Sequence, residues 1–166
     1  MWVDTSVEFK TYDFEEFYKI AKRTNGLAVY HGTGHSIFAV TPPQMTEYFP
    51  PVKNLTTKEC LVAGALGIFR TKQVIDNFLK WWVACALSSS CIFSETKKGC
   101  DFQMSDSDKW TKYGHCSRFD QSAMSILIEN MYSDEEAPPH MQYSTIDIKR
   151  AKGEIAHPQI CDDTNI

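Results

Sequence analysis

Cys116-Ser-Arg118-Phe-Asp120-Gln121-Ser-Ala-Met-Ser-Ile-Leu-Ile-Glu-Asn-Met-Tyr132 sets an arginine and a carboxylate directly before an amphipathic helix. Ala123, Ile126, Leu127 and Met131 recur at helical spacing, which predicts a helix starting near Ser122 with one buried face. Asp120 or Ser122 is expected to cap its N-terminus, where backbone N–H groups and the helix dipole favour anions. An Asp-Gln pair at that point can face a pocket while the following turns anchor it in the core. A plain cap with a neighbouring salt bridge is the commoner use of such residues, and the stretch alone favours it over a working site.

The chain opens Met1-Trp-Val-Asp4-Thr-Ser6-Val-Glu8-Phe9, an apolar run broken by Asp4 and Ser6. This predicts the end of a buried, central strand that turns polar at the sheet's carboxyl edge, where α/β proteins bind ligands. Between the two stretches lie Trp81-Trp-Val-Ala-Cys85-Ala-Leu87 and Cys91-Ile92. In this order, the motifs Trp-x-Asp-x-Ser, Trp-Trp-Val-x-Cys-Ala-Leu with a nearby Cys-Ile, and Cys-x-Arg-x-Asp-Gln-Ser resemble a family of glycosyltransferase-like domains common in invertebrate secretory proteins. The resemblance runs from residue 1 to about residue 132.

That resemblance implies a GT-A fold, of which this chain is similar to the C-terminal part, without the preceding nucleotide-binding half. It implies transfer of a sugar from a nucleotide-sugar donor to a hydroxyl of a glycan or protein acceptor. A divalent metal, Mn2+ or Mg2+, held by carboxylates would stabilise the departing diphosphate. Where the wider fold carries Asp-x-Asp, this chain has Asp4-Thr-Ser6, so a hydroxyl replaces one carboxylate. Glu8 shares strand parity with Asp4 and Ser6 and is the candidate for a second metal carboxylate beside Asp4. Asp120 is then the catalytic candidate, as acceptor base or as a partner of the sugar hydroxyls, with Gln121 orienting the donor. Arg118 could grip phosphate bidentately, or form a salt bridge with Asp120 or Glu129. Ser6 and Trp81 complete the expected substrate contacts, Trp81 by stacking on a sugar ring. Trp82 shares a face with Phe78 and Cys85 and is expected in the core. A chain lacking its nucleotide-binding half could be inactive. The competing expectation is a non-catalytic, disulfide-bonded secreted domain that binds glycan or protein.

The 166 residues, 43% of them hydrophobic, can bury one core. A net charge of −4 without a basic run argues against nucleic acid as a partner. No apolar stretch approaches the roughly 20 residues that cross a bilayer, and no signal peptide is visible at the N-terminus. Membrane attachment would need an anchor preceding this sequence. Cys60, Cys85, Cys91, Cys100, Cys116 and Cys161 are irregularly spaced without a Cys-x-x-Cys pair, which favours disulfides over zinc. The even count permits all six to pair, and Cys85 with Cys91 is the first pairing to test. Cys116 beside His115 is a poor nucleophile candidate, because adjacent strand residues point oppositely and a disulfide removes the thiolate. His31, His35, His115 and His157 are expected to be satisfied or exposed rather than ligands. Asn54-Leu55-Thr56 is a glycosylation sequon. With the cysteines, it points to the lumen of the secretory pathway or to secretion.

Along the chain, Asp13-Phe-Glu-Glu16 starts a helix reaching about Arg23, and Asn25-Gly26 stops it. Strands are expected at Leu27–His31 and Ser36–Val40, joined by a hairpin turn through Gly32-Thr-Gly34. Thr41-Pro-Pro-Gln44 opens a short helix. Thr56-Thr-Lys-Glu59 reads as a capping box leading into Cys60–Leu66, and Gly67-Ile-Phe69 as a strand. Thr71 starts the clearest helix, with Ile75, Phe78, Leu79, Trp82 and Cys85 on one face. Residues 88–115 read as a polar loop tied by disulfides, and Tyr143–Ile148 as an edge strand. Interleaved strands and helices predict an α/β class, a mixed sheet flanked by helices. Residues 1–166 form a single domain, partial if its first half is missing, with 133–166 as a C-terminal extension.

Overall fold

The computed structural model describes residues 1–30, 32–51, 54–92, 100, 105–114, 116–132, 140–141 and 145–149. In chain order its elements are β1 (Trp2–Val3), β2 (Val7–Phe9), α1 (Glu15–Arg23), β3 (Leu27–Tyr30), α2 (Ile37–Val40), α3 (Met45–Tyr48) and β4 (Val62–Ile68). Then follow α4 (Lys72–Val74), a π-helical turn (Ile75–Leu79), α5 (Lys80–Ala86), α6 (Ser89–Ile92), α7 (Asp108–Thr111), α8 (Asp120–Met131), β5 (His140–Met141) and β6 (Ile146–Ile148).

Four strands form a mixed sheet in the order β1-β4-β3-β5, antiparallel except for the parallel pair β3–β5. β3 is the innermost in character: all four of its residues are buried. Its alternation sends Leu27 and Val29 into one apolar cluster, and Ala28 and Tyr30 into another. On the first face lie the π turn, α5 and α8, through Phe78, Cys85, Met124 and Ile128. On the second lies α1, through Phe17, Ile20 and Ala21. The predicted mixed sheet with flanking helices is therefore present.

α1 comes close to the sheet because β4 presents a glycine beneath it. A Cβ built on Gly67 would lie 2.0 Å from Cε2 of Phe17 and 2.3 Å from its Cζ. The helix ends as the sequence predicts: Gly26, at φ 114°, adopts a conformation open to glycine, and its N–H bonds the Ala21 carbonyl at 2.7 Å.

Several local expectations are overturned. Trp2-Val3 is an edge strand, not a central buried one, and both residues are exposed. Ser36–Val40 is not a strand. Ser36 Oγ accepts the Ala39 N–H at 3.1 Å and caps α2, so Gly32-Thr-Gly34 connects β3 to a helix and is no hairpin turn. Cys60–Leu66 is not helical. Glu59 accepts the Gly34 N–H at 2.7 Å instead of closing a capping box, and the chain runs on as β4, satisfied on both sides by β1 and β3. Residues 88–115 contain α6 and α7 rather than a bare loop. The edge strand near the C-terminus exists as β6, but it pairs with β2 in a separate two-stranded sheet.

Cys85–Cys91 and Cys100–Cys116 are disulfides. Cys60 is a free, fully buried thiol whose Sγ lies 3.3 Å from Ser125 Oγ, so the full pairing that the even count permits is not used. Cys161, like His31, His115 and His157, lies outside the described residues. No helix among the described residues is long and apolar enough to cross a membrane.

Candidate functional site

β1 and β3 run in the same direction, so Asp4 and Gly32 follow their C-terminal ends on one side of the sheet. Between them, β4 is irregular. Val29 pairs with Leu66, and the register then jumps so that Tyr30 pairs with Val62. The displaced residues, 63–65, carry Ala63 and Gly64 into the wall of a cleft, and the Gly64 carbonyl accepts the Asp4 N–H at 2.8 Å. Such irregularities re-aim the chain beside binding sites at some cost in sheet pairing.

The cleft has a volume of about 860 Å³. From the sheet it is lined by Asp4, Ser6 and Gly64, and from the start of α8 by Arg118, Asp120 and Gln121. Asp4 and Asp120, at opposite ends of the sequence motif set, thus line one cleft.

The start of α8 is held unusually. Phe119 sits at φ 48° and ψ −115°, a conformation that costs a non-glycine residue about 1–3 kcal/mol. Its neighbours over-determine it. Phe119 N–H donates to Ser117 Oγ at 3.2 Å, Arg118 N–H to the Val40 carbonyl at 3.2 Å, and Gln121 N–H to the Arg118 carbonyl at 2.9 Å. Trp82 Nε1–H donates to the Asp120 carbonyl at 3.2 Å while its ring stacks on Phe78. The Cys100–Cys116 disulfide closes this segment from the other side, and Cys100 itself lines the cleft.

Neither Asp120 nor Ser122 caps α8. The helix begins at Asp120, without a side-chain cap, and Ser122 Oγ donates instead to the Val40 carbonyl at 2.7 Å. Nor is α8 amphipathic: every residue from Gln121 to Glu129 is buried. Its polar side chains serve as internal ties. Ser125 Oγ accepts the Leu61 N–H at 3.0 Å and donates to the Gln121 carbonyl at 2.8 Å. Gln121 accepts from Arg118 Nε at 2.8 Å and donates through Nε2 to the Leu61 carbonyl, which joins Arg118 to the strand entering β4. Glu129 faces Lys58 Nζ at 3.6 Å.

Two expected site residues stand elsewhere. Glu8 does not continue the strand parity of Asp4 and Ser6, because the chain turns between β1 and β2. Its carboxylate pairs with Lys149 Nζ at 2.6 Å. Trp81 is exposed beside Lys80 and lines a second cleft of about 410 Å³ with Tyr48, Asn77 and Asn130, toward the far end of α8.

Among the described residues no three His, Cys, Asp or Glu side chains cluster as a metal site. The carboxylates that line the cleft are those of Asp4 and Asp120, with the Ser6, Thr33 and Ser117 hydroxyls and the Gln121 carboxamide beside them. Thr5 Oγ1 already donates to Asp4 Oδ1 at 3.3 Å. With two carboxylates on the protein side, a Mg2+-like ion would fit by taking most of its shell from diphosphate oxygens and water, as such ions commonly do.

His35 is the cleft residue that motif reasoning set aside. It is buried, and desolvation together with the nearby Arg118 charge pushes its imidazole down to about 4, so it is neutral at pH 7. The unfolded chain therefore takes up this proton near pH 6.5 while the folded chain resists it until near pH 4. The contribution of His35 is fully present above pH 6.5 and declines as pH falls toward 4, by up to about 3 kcal/mol at 1.36 kcal/mol per pKa unit. Urea unfolding at pH 7.0 and 4.5 should show this loss in the parent chain. His35→Gln should flatten it, and an equal slope in both proteins would refute the assignment.

Comparison of the chain with protein-family models, with curated proteins and with solved structures returns no match.

Proposed function

We propose that this cleft binds a nucleotide-sugar and that the chain is a sugar-transfer domain acting on a hydroxyl acceptor. One observation carries the reading: Asp4 and Asp120 come from distant parts of the sequence and line the same cleft, with Arg118 beside them. Asp120 stands at the first position of α8 on a segment braced by Trp82, Val40 and a disulfide. A carboxylate on a backbone held in this way can accept a proton from an acceptor hydroxyl or orient the sugar. Arg118 has its Nε committed to Gln121, which fixes the plane of a guanidinium suited to phosphate oxygens. Mn2+ or Mg2+, when bound, would supply charge stabilisation for the leaving diphosphate, with Asp4, Ser6 and Asp120 as the protein's contribution.

The competing reading, a non-catalytic secreted domain that binds glycan or protein, draws support from Glu8. The carboxylate that would make up for the missing second aspartate is paired with Lys149. Both readings suit an oxidising, secretory-type environment, toward which the two disulfides point.

Calorimetric titration with uridine and guanosine diphosphates in the presence of Mn2+ separates them. Binding is expected for the parent chain, loss of it for Asp4→Ala, and little change for Glu8→Gln. A folded parent chain that binds neither nucleotide would leave the non-catalytic reading in place.

A further inference from the structure

The sequon at Asn54 takes no part in either cleft, and its surroundings have a distinct geometry. Asn54 is exposed, whereas Leu55, the next residue, is buried in the main core at 6% exposure. The Leu55 carbonyl accepts the Phe38 N–H at 3.3 Å, which pins the backbone immediately after the asparagine. The Asn54 side chain is turned back on its own loop. Oδ1 accepts the Thr56 N–H at 3.0 Å and the Thr56 hydroxyl at 2.6 Å. This is an Asx turn, in which both bonds fall on the carboxamide oxygen. Among the described residues Nδ2 has no hydrogen-bond partner.

We propose that Asn54 carries an N-linked glycan. Two independent features meet here. The first is chemical: the hydroxyl two residues on is bonded to the carboxamide oxygen, which eases loss of a proton from Nδ2 to base and leaves that nitrogen as the open end of the amide. The second is the compartment. Two disulfides indicate passage through an oxidising lumen, where asparagine glycosylation takes place.

In the reaction, Nδ2 attacks the anomeric carbon of a lipid-pyrophosphate-linked oligosaccharide. The C1–O bond to pyrophosphate breaks, the pyrophosphate leaves with the bonding pair, and one amide proton is lost to base. No redox change accompanies the step. The modified nitrogen keeps one N–H, and Oδ1 keeps both of its bonds from Thr56, so the fold gives up no hydrogen bond. Asn54 itself lines neither cleft. The proposal does not depend on the sugar-transfer reading, and either can fail without the other.

The sequence contains no other Asn-x-Ser or Asn-x-Thr, which makes the test clean. The full chain is directed into the secretory lumen of a eukaryotic host and its intact mass is recorded before and after peptide-N-glycosidase. A mass decrease on digestion is expected for the parent chain and for Thr56→Ser, and its loss for Asn54→Gln and Thr56→Ala. Thr56→Ala leaves the asparagine in place, so it covers the case in which Asn54→Gln fails to fold. Parent chain recovered from the lumen with both disulfides formed and an unmodified mass would overturn the proposal. So would a digestible mass that persists in Asn54→Gln.

Discussion

Asp120→Asn is expected to lower turnover of a nucleotide-sugar donor about 10²–10⁴-fold, the usual contribution of a positioned acid–base group. The substitution is nearly isosteric. Among the described residues the Asp120 side chain makes no hydrogen bond or ion pair; its backbone carbonyl, which the variant keeps, holds Trp82. The folding cost is therefore confined to the lost charge at the helix N-terminus, about 0.3–1 kcal/mol. A large kinetic effect with a nearly unchanged melting temperature would mark Asp120 as a working residue. Turnover within twofold of the parent chain would remove it from the mechanism. Trp82→Phe complements this test, because it keeps the stack on Phe78 but deletes the N–H that restrains Asp120. A fall in kcat with little change in KM would identify Trp82 as a positioning residue.

The largest expected effect on stability lies across the sheet, at Gly67. An alanine there would put its methyl 2.0 Å from the Phe17 ring. The ring cannot simply swing aside: it packs edge-on to Tyr18 at 5.7 Å, lies 5.6 Å from Phe69, and sits on a helix held against the strands. Overpacking of this kind costs about 1–3 kcal/mol, or ~2–4 °C of melting temperature per kcal/mol for a chain of this size. Gly67→Val should cost more. The cause can be isolated with Phe17→Leu, which opens space at the contact. The double variant Phe17→Leu/Gly67→Ala should be more stable than the sum of the single effects, with a coupling of about 0.5–3 kcal/mol. Strict additivity in urea unfolding would show that the Gly67 effect does not arise from this ring.

The two positions also show how unevenly the chain can be read from its residues. The α1 stretch and the helical run after Thr71 carry their own punctuation. Asp13, Asn25-Gly26 and Thr71 act within a few residues, and the structure places these helices accordingly. The Cys85–Cys91 bridge closes a loop short enough to suggest itself. β4 misled because Thr56 to Glu59 has the spacing of a capping box, while the choice between helix and strand was made by β1 and β3 on its two sides. The same holds for α8. Its apolar spacing gave one buried face, yet its serines and glutamine are also buried, because main-chain groups at Val40 and Leu61 wait there to be satisfied.

At the candidate site, the residue types at Asp4, Ser6, Arg118 and Asp120 stood out in the sequence, and all four line the cleft. Glu8 and Trp81 stood out equally and lie elsewhere. Strand parity is a local rule and fails for Glu8 where the chain turns out of one sheet into another, and Trp81 misses the cleft because it lines the second one instead.

Sequence by itself determined the mixed α/β class, the stop of α1 at Asn25-Gly26, the helical start at Thr71, the Cys85–Cys91 bridge and the polar residues able to do chemistry, since each of these local features rests on contacts within a few residues. Only the tertiary structure decided which of those polar residues share a cleft, which strand lies at the edge, and how the strained turn at Phe119 is held. Those outcomes depend on hydrogen bonds and packing between segments far apart in the chain, whose partners no local pattern names.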